Sequence, residues 1–176
     1  EQSNRLINLV ENMLSVTKLQ GAKENLIYKE VSIKPVVEMI ASIVKNQYKD
    51  KSFKIDISSK VPNILVDKDK FQQIMTNLME NVRAAYVPEN VCIEVINSGI
   101  EIPKEDYEKI FTKFSRIDNP LTRKVQGSGL GLYITKSLVE KMGGKIFVTS
   151  GNGITKFSVS MPAGNIERQA REKCKQ

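Results

Sequence analysis

Apolar residues along this chain alternate between two periods. Phe71, Ile74, Met75, Leu78 and Val82 recur at steps of three and four, the spacing of one helix face. Leu130, Ile134 and Leu138 do the same and stop at Gly143-Gly144, where a helix C-cap is expected. Leu6, Val10, Met13 and Thr17 follow 4-3-4 spacing, with Ile7 and Leu14 widening the stripe, and predict a first helix over Gln2–Leu19 that ends at Gly21. Ser32 to Asn46 reads as a further helix, with Ser32 as N-cap and Pro35 in its first turn. Asp67 is placed to cap the helix that contains Phe71, and Lys104 to Phe111 predicts a short helix.

Elsewhere the period is two. Leu26–Val31 is extended, Phe53–Ile57 and Val91–Ile96 are strands, and Lys145–Thr149 with Thr155–Met161 form a closing hairpin around Gly151-Asn152-Gly153. These elements interleave without regular βαβ repetition. The fold class expected is α/β: a two-layer α/β sandwich, a mixed sheet with helices on one face, preceded by one isolated long helix. Three segments follow: 1–22 for that helix, 23–163 for the sandwich, and 164–176 as a charged tail expected to fray. The first stripe is already under way without an N-cap, which predicts a helix cut from a longer one.

Composition narrows the classes. The apolar and charged fractions are those of an ordinary globular domain, and no apolar run approaches the roughly 20 residues of a membrane span. Cys92 and Cys174 are far apart and neither belongs to a C-x-x-C pair, which argues against a disulfide scaffold or a zinc site and favours a reducing compartment. The net charge of +7 raises nucleic acid as a partner. The basic residues are scattered, however, and densest in the tail (Arg168, Arg171, Lys173, Lys175), with little aromatic interleaving. They read as a solvated surface plus cations available to an anionic ligand. Histidine is absent, so neither a histidine triad nor a histidine-metal cluster lies within these residues.

Two segments carry candidate chemistry. Gly127-Ser128-Gly129-Leu130-Gly131-Leu132 runs directly into a helix. Missing Cβ atoms let backbone approach an anion, and the first N–H groups of a helix point at it. In the helix with Phe71, Asn77 and Asn81 are four apart, which would stack both amides on one face and suit a cation or polar ligand.

In this order the segments resemble the ATP-binding catalytic domain of the sensor histidine kinases. Asn77-Leu78-Met79-Glu80-Asn81 is similar to the family's asparagine box, and Asn97-Ser98-Gly99-Ile100-Glu101-Ile102-Pro103 to its first glycine box. Ile110 to Asp118 resembles the phenylalanine box, and Gly127 to Leu132 the second glycine box. Arg5 to Leu14 resembles the end of the second helix of the dimerisation domain, and this helix is similar to that of potassium-responsive sensor kinases.

The resemblance implies a protein-histidine kinase that uses ATP and Mg²⁺ and transfers the γ-phosphoryl to a histidine outside the chain. It implies that Asn81 coordinates Mg²⁺ and that Asn77 contacts the phosphate or ribose side. Asn97, Gly99 and Thr155 would meet adenine. Lys113 and Arg116 would serve the phosphates, with Arg116 near the γ-phosphate. The N–H groups around Gly127, Gly129, Leu130, Gly131 and Leu132 would receive the phosphates. Residues 115–127 would form a mobile lid. Implied partners are the chain's own dimerisation and phosphoacceptor domain, a response-regulator receiver domain and a second copy in a full-length homodimer, with no nucleic acid. The implied location is the cytoplasmic part of a membrane-anchored sensor.

The departures support a second reading. The family's adenine-reading aspartate is Asn97 here, a loss of charge assistance worth about 1–2 kcal/mol. Glu101 replaces a glycine, and Ala84 and Ala85 replace a basic and an aromatic residue. The stretch from Asn81 to Asn97 is short by roughly 10 residues, about a strand and a turn. A degenerate, pseudokinase-like module that acts by docking to proteins and binds nucleotide weakly or not at all therefore stands beside the kinase reading.

Overall fold

A computed structural model describes residues 10–17, 19, 25–47, 54–78, 81–87, 89–98, 101–116 and 128–164, and for 81–87 the backbone alone. Gly99, Gly127, most of the expected lid and the tail from residue 165 lie outside the described residues. Helix α1 covers residues 10–17. It is followed by β1 (Tyr28–Val31), α2 (Ile33–Gln47), β2 (Ile55–Ile57), β3 (Ile64–Asp67) and α3 (Lys68–Leu78). Then come β4 (Asn81–Val87), β5 (Asn90–Ser98), α4 (Gly131–Lys141), β6 (Lys145–Gly151) and β7 (Ile154–Pro162). The short helix expected at Lys104–Phe111 is two 3₁₀ turns, Lys104–Asp106 and Lys109–Phe111.

The main sheet has five strands in the order β2-β4-β5-β7-β6. The β2–β4 pair is parallel and the other pairs are antiparallel, so the sheet is mixed as expected. A second, two-stranded sheet pairs β1 with β3, from Tyr28↔Asp67 to Val31↔Ile64. The sequence reading had no separate strand at 64–67, because Ile64-Leu65-Val66 is too short a run to show a period.

Alternation along the strands separates the two faces. Val91, Ile93 and Val95 of β5, with Phe157, Val159 and Met161 of β7, turn into the core. There they share one apolar cluster with Phe71, Ile74 and Met75 of α3 and Ile134, Leu138 and Val139 of α4. On the opposite face Glu94 bridges Lys156 at 2.8 Å. Cys92 lies beside them; burial pushes its thiol pKa up, Glu94 adds to the rise and Lys156 opposes it.

Local chemistry fixes the helix ends. The Asp67 carboxylate accepts from the backbone N–H groups of Asp69 at 3.1 Å and Lys70 at 3.2 Å, which is the expected cap of α3. Its other oxygen accepts from Ile27 N–H at 3.0 Å and so ties β1 to the same point. Helix α4 closes at Gly143, whose φ of +76° favours a residue without Cβ, with Gly144 N–H donating to the Val139 carbonyl at 2.9 Å.

Two expectations are corrected. Asn77 and Asn81 do not stack on one helix, since α3 ends at Leu78 and Asn81 opens β4 opposite Ile96. The chain between Leu78 and Asn90 is too short to extend the helix and also supply a strand. Pairing Asn81–Val87 along seven positions of β5, with Val82 also opposite Ile55 of β2, removes the open edge that a longer helix would leave. Nor is the first helix isolated. Val16 and Leu19 pack against the core, the Gln73 amide donates to Ser15 Oγ at 3.4 Å, and the Asn12 amide donates to Ser128 Oγ at 3.4 Å. An apolar stripe with no longer partner helix beside it covers what apolar surface it can, and Val10, Met13 and Leu14 stay exposed.

Asp67→Ala removes the α3 cap and the Ile27 tie together. It should cost about 1–2 kcal/mol, read in urea unfolding as a lower midpoint with unchanged slope. A change below about 0.5 kcal/mol would show that the cap carries no stability here.

Candidate nucleotide site

Helix α4 begins where the glycine run predicted. Leu130 occupies its N-cap position and makes no side-chain cap bond, so no hydroxyl or carboxylate of the cap residue covers the first N–H groups of the helix. The Leu130 side chain is buried in the core and anchors the turn. Its N–H donates to Ser128 Oγ at 3.3 Å, so of the expected cradle groups this one is engaged within the turn. Gly131 and Leu132 are half-buried at the helix start.

Gly129 has a steric reason to be glycine. Its φ is +68°, and a Cβ there would stand 2.8 Å from the Phe114 carbonyl carbon and 2.9 Å from Ser115 O. The glycine turn therefore packs backbone to backbone on the Phe114–Ser115 segment. Phe114 itself takes φ +60° and leaves its ring 60% exposed, a costly conformation for an aromatic residue.

Asn77 closes the other side. Its Nδ2 donates to the Gly131 carbonyl and to Thr135 Oγ1, both at 3.3 Å. With the amide hydrogens engaged, Oδ1 is the atom this exposed side chain offers to a ligand. Asn81 follows three residues after α3 ends, and of its side chain only the strand register is described. Lys113 lies over the Tyr133 ring, 5.1 Å from its centroid. Tyr133 is on the flank of α4 opposite Gly131 and Thr135, so Lys113 is held away from Asn77. On that flank Lys136 stands 5.3 Å over the Phe111 ring and bridges Glu108 at 3.3 Å. Nearby, a hydrogen bond to Asp106 raises the Lys109 pKa above its usual value. Arg116 is exposed, at the end of the described segment.

A second cluster forms at the end of the β5–β7 ladder. Asn97 and Thr155 are directly opposed, so both side chains lie on the face of Val95 and Phe157. Thr155 is buried, and its Oγ1 lies 2.7 Å from Ser150 Oγ. Asn97 Oδ1 is buried and accepts no hydrogen bond, the one such side-chain atom among the described residues. Ser150 is a hub that the sequence reading missed. Its Oγ accepts from Ile102 N–H at 3.0 Å, its N–H donates to Tyr107 Oη at 2.7 Å, and its carbonyl accepts from that hydroxyl at 3.2 Å. A lone serine in a strand carries no sequence signal for such a role. Phe111 meets Phe157 edge to face at 6.4 Å and so joins this cluster to the segment that supports Gly129.

Glu101, the acidic replacement in the first glycine box, is engaged within the fold. Its carboxylate accepts the N–H of Gly153 in the β6–β7 turn. Here it holds the hairpin.

Residues 66–165 match the family described as histidine kinase-, DNA gyrase B-, and HSP90-like ATPase. The chain is 31% identical over 173 residues to the signal transduction histidine-protein kinase ArlS of Staphylococcus haemolyticus (strain JCSC1435), covering 90% of this chain and 38% of that protein. It thus spans less than half the length of the curated relatives it matches. Among solved structures, full-length ShkA in complex with AMPPNP superposes with a TM-score of 0.78 at 24% identity, covering 94% of this chain and 37% of that one. The histidine kinase ThkA in complex with the response regulator protein TrrA gives 0.73 at 20% identity, covering 93% and 48%.

Steric demand at Gly129 can be separated from glycine content. Gly129→Ala should destabilise the chain by about 1–3 kcal/mol and loosen the amides of residues 110–116 in hydrogen exchange. Gly151→Ala, where an added Cβ meets nothing within 4 Å, should stay within about 0.5 kcal/mol. Equal effects of the two would show that the contact with Phe114 does not constrain the turn.

Proposed function

This chain belongs to the histidine kinase-, DNA gyrase B-, and HSP90-like ATPase family, and we propose that it is the catalytic domain of a two-component sensor histidine kinase. It binds ATP with Mg²⁺ and passes the γ-phosphoryl to a histidine that these 176 residues do not contain. The observation that carries this reading is the uncapped start of α4, held between Asn77 and the Phe114–Ser115 backbone. A phosphate chain laid there meets N–H donors and the positive end of an 11-residue helix.

In this reading each group has one task. Asn97 and Thr155 hold the base at the end of the β5–β7 ladder. Gly127, Gly129, Gly131 and Leu132 present backbone to the phosphates, with Leu130 as the buried anchor, and Gly99 permits close approach beside the base. Arg116 and Lys113 supply cations from the phenylalanine-box segment, which Lys113 does by leaving the Tyr133 ring. Mg²⁺, when bound, draws charge from the β- and γ-phosphates. The amide oxygen of Asn81 would be its protein donor, and one amide with waters and phosphates suits this ion, while Asn77 Oδ1 would meet the phosphate or ribose side. The described residues contain no cluster of three acidic, histidine or cysteine side chains that would hold a metal alone.

During transfer the P–O bond to ADP breaks as a bond to the imidazole nitrogen forms. The protein's work is positioning and electrostatics. The acceptor comes from the dimerisation domain of a homodimer, and the phosphoryl passes on to a receiver domain; the similar histidine kinase ThkA is solved in complex with the response regulator protein TrrA. Placement in the cytoplasmic part of a sensor belongs to the same proposal, and no described helix is long and apolar enough to cross a membrane.

Titration of the chain with a non-hydrolysable ATP analogue, with and without Mg²⁺, tests this reading. Tighter binding with the metal is expected, and no binding in either condition would favour a docking module. Asn81→Ala should weaken the Mg²⁺ complex about tenfold while changing metal-free binding little. Equal loss in both conditions would remove Asn81 as a ligand. Asn77→Ala should instead weaken both and lower the unfolding temperature, because its amide joins α3 to α4.

A further inference from the structure

Asn97 presents an unusual combination of placement and chemistry. Its Oδ1 is buried without a partner at the end of the β5–β7 ladder. Burial of an unpaired acceptor is unfavourable, so a ligand that supplies a donor there is selected for. The neighbouring hydroxyl of Thr155 is already within hydrogen-bond distance of Ser150. Val95 and Phe157, on the same face of the ladder, are buried in the core and bring no polar group to this end of it.

A carboxamide differs from a carboxylate in one respect that matters here. It carries an acceptor and a donor side by side, and half a turn about its terminal torsion exchanges them. Adenine shows a donor on the 6-amino group beside the N1 acceptor. A 6-oxopurine, hypoxanthine or guanine, shows an acceptor at O6 beside an N1–H donor. One orientation of Asn97 matches the first edge, and the flipped orientation matches the second. A carboxylate can only accept and would face O6 with like charge.

Resting on the nucleotide-site reading above, we infer that Asn97 makes this site tolerant at the purine 6-position, so that 6-oxopurine nucleotides are taken together with adenine nucleotides. The site holds the phosphates at α4 and, through Asn97, does not separate amino from oxo at the base edge. Inosine nucleotides isolate this property, because they differ from adenosine nucleotides at the 6-position and N1 and lack the 2-amino group of guanine.

The test is a pair of calorimetric titrations of the 176-residue chain with ADP and with inosine diphosphate, both with Mg²⁺. Dissociation constants within about threefold of each other are expected. A wider preference for ADP would overturn the inference and leave the nucleotide site standing. Failure of both diphosphates to bind would overturn the nucleotide reading and this inference with it. Asn97→Asp should then tighten ADP and weaken inosine diphosphate, moving the ratio to about tenfold or more. An unchanged ratio in a folded variant would show that Asn97 does not read the base edge. Should the variant not fold, the ratio measured on the unaltered chain decides alone.

Discussion

The pairing of β5 with β7 is the constraint on which the rest depends. The two strands align over nine residue pairs, from Asn90↔Pro162 to Ser98↔Ile154. One alternation of side chains sends Val91, Ile93, Val95, Phe157, Val159 and Met161 inward to meet α3 and α4. Because the side-chain period is two, the same register places Asn97 and Thr155 at the open end of that inner face. A slip by one residue would turn both outward with the whole hydrophobic set. Core stability and the polar floor of the site are therefore specified by a single choice of register.

A second constraint is chain length between α3 and β5. The asparagine-box pattern asks for one more helical turn through Val82, and the sheet asks for a strand from the same residues. The sheet prevails: seven positions of β4 pair with β5 and three with β2, whereas the extra turn would add few bonds and leave an edge unpaired. Ala84 and Ala85, at positions where the resembled family carries a basic and an aromatic residue, sit in that strand opposite Ile93 and Cys92. Their departure from the pattern follows from a change of element.

What could be read from the sequence follows from the strength of its periods. The helices at Phe71–Leu78 and Gly131–Lys141 and the strands at Val91 and Thr155 carry long, clean repeats, and the structure has them where expected. Asp67 and Gly143 announce their caps by residue type alone. The placement of Asn81 was not legible, because helix and strand spacing both fit Asn81-Val82-Arg83-Ala84 and only tertiary pairing decides. The docking of α1 through Val16, Asn12 and Ser15 was equally hidden, since an apolar stripe does not name its partner. At the candidate site, Asn97, Thr155, Asn77 and the glycine turn were singled out by residue type, and the structure places Asn97 beside Thr155 and Asn77 beside the start of α4. The Ser150 hub and the contact of Gly129 with Phe114 were not legible, for both are set by segments remote in sequence.

The departures from the family pattern then separate by their partners. Glu101 holds the hairpin at Gly153 and asks nothing of a ligand. Asn97 remains unsatisfied. An aspartate at that position would place a negative charge on the core face, over Val95 and Phe157. The adjacent cation, Lys156, points to the opposite face, where Glu94 engages it at 2.8 Å. Without a ligand, such a carboxylate would be desolvated and uncompensated, at a cost larger than that of a neutral amide. The amide relaxes this conflict in the empty site and, on the proposed nucleotide reading, would give up charge-assisted hydrogen bonding, about 1–2 kcal/mol, in the occupied one. On the proposed nucleotide reading, affinity for the base is thereby lowered in exchange for a less strained ligand-free site, and the phosphate end, at the uncapped start of α4, would be the dominant source of binding.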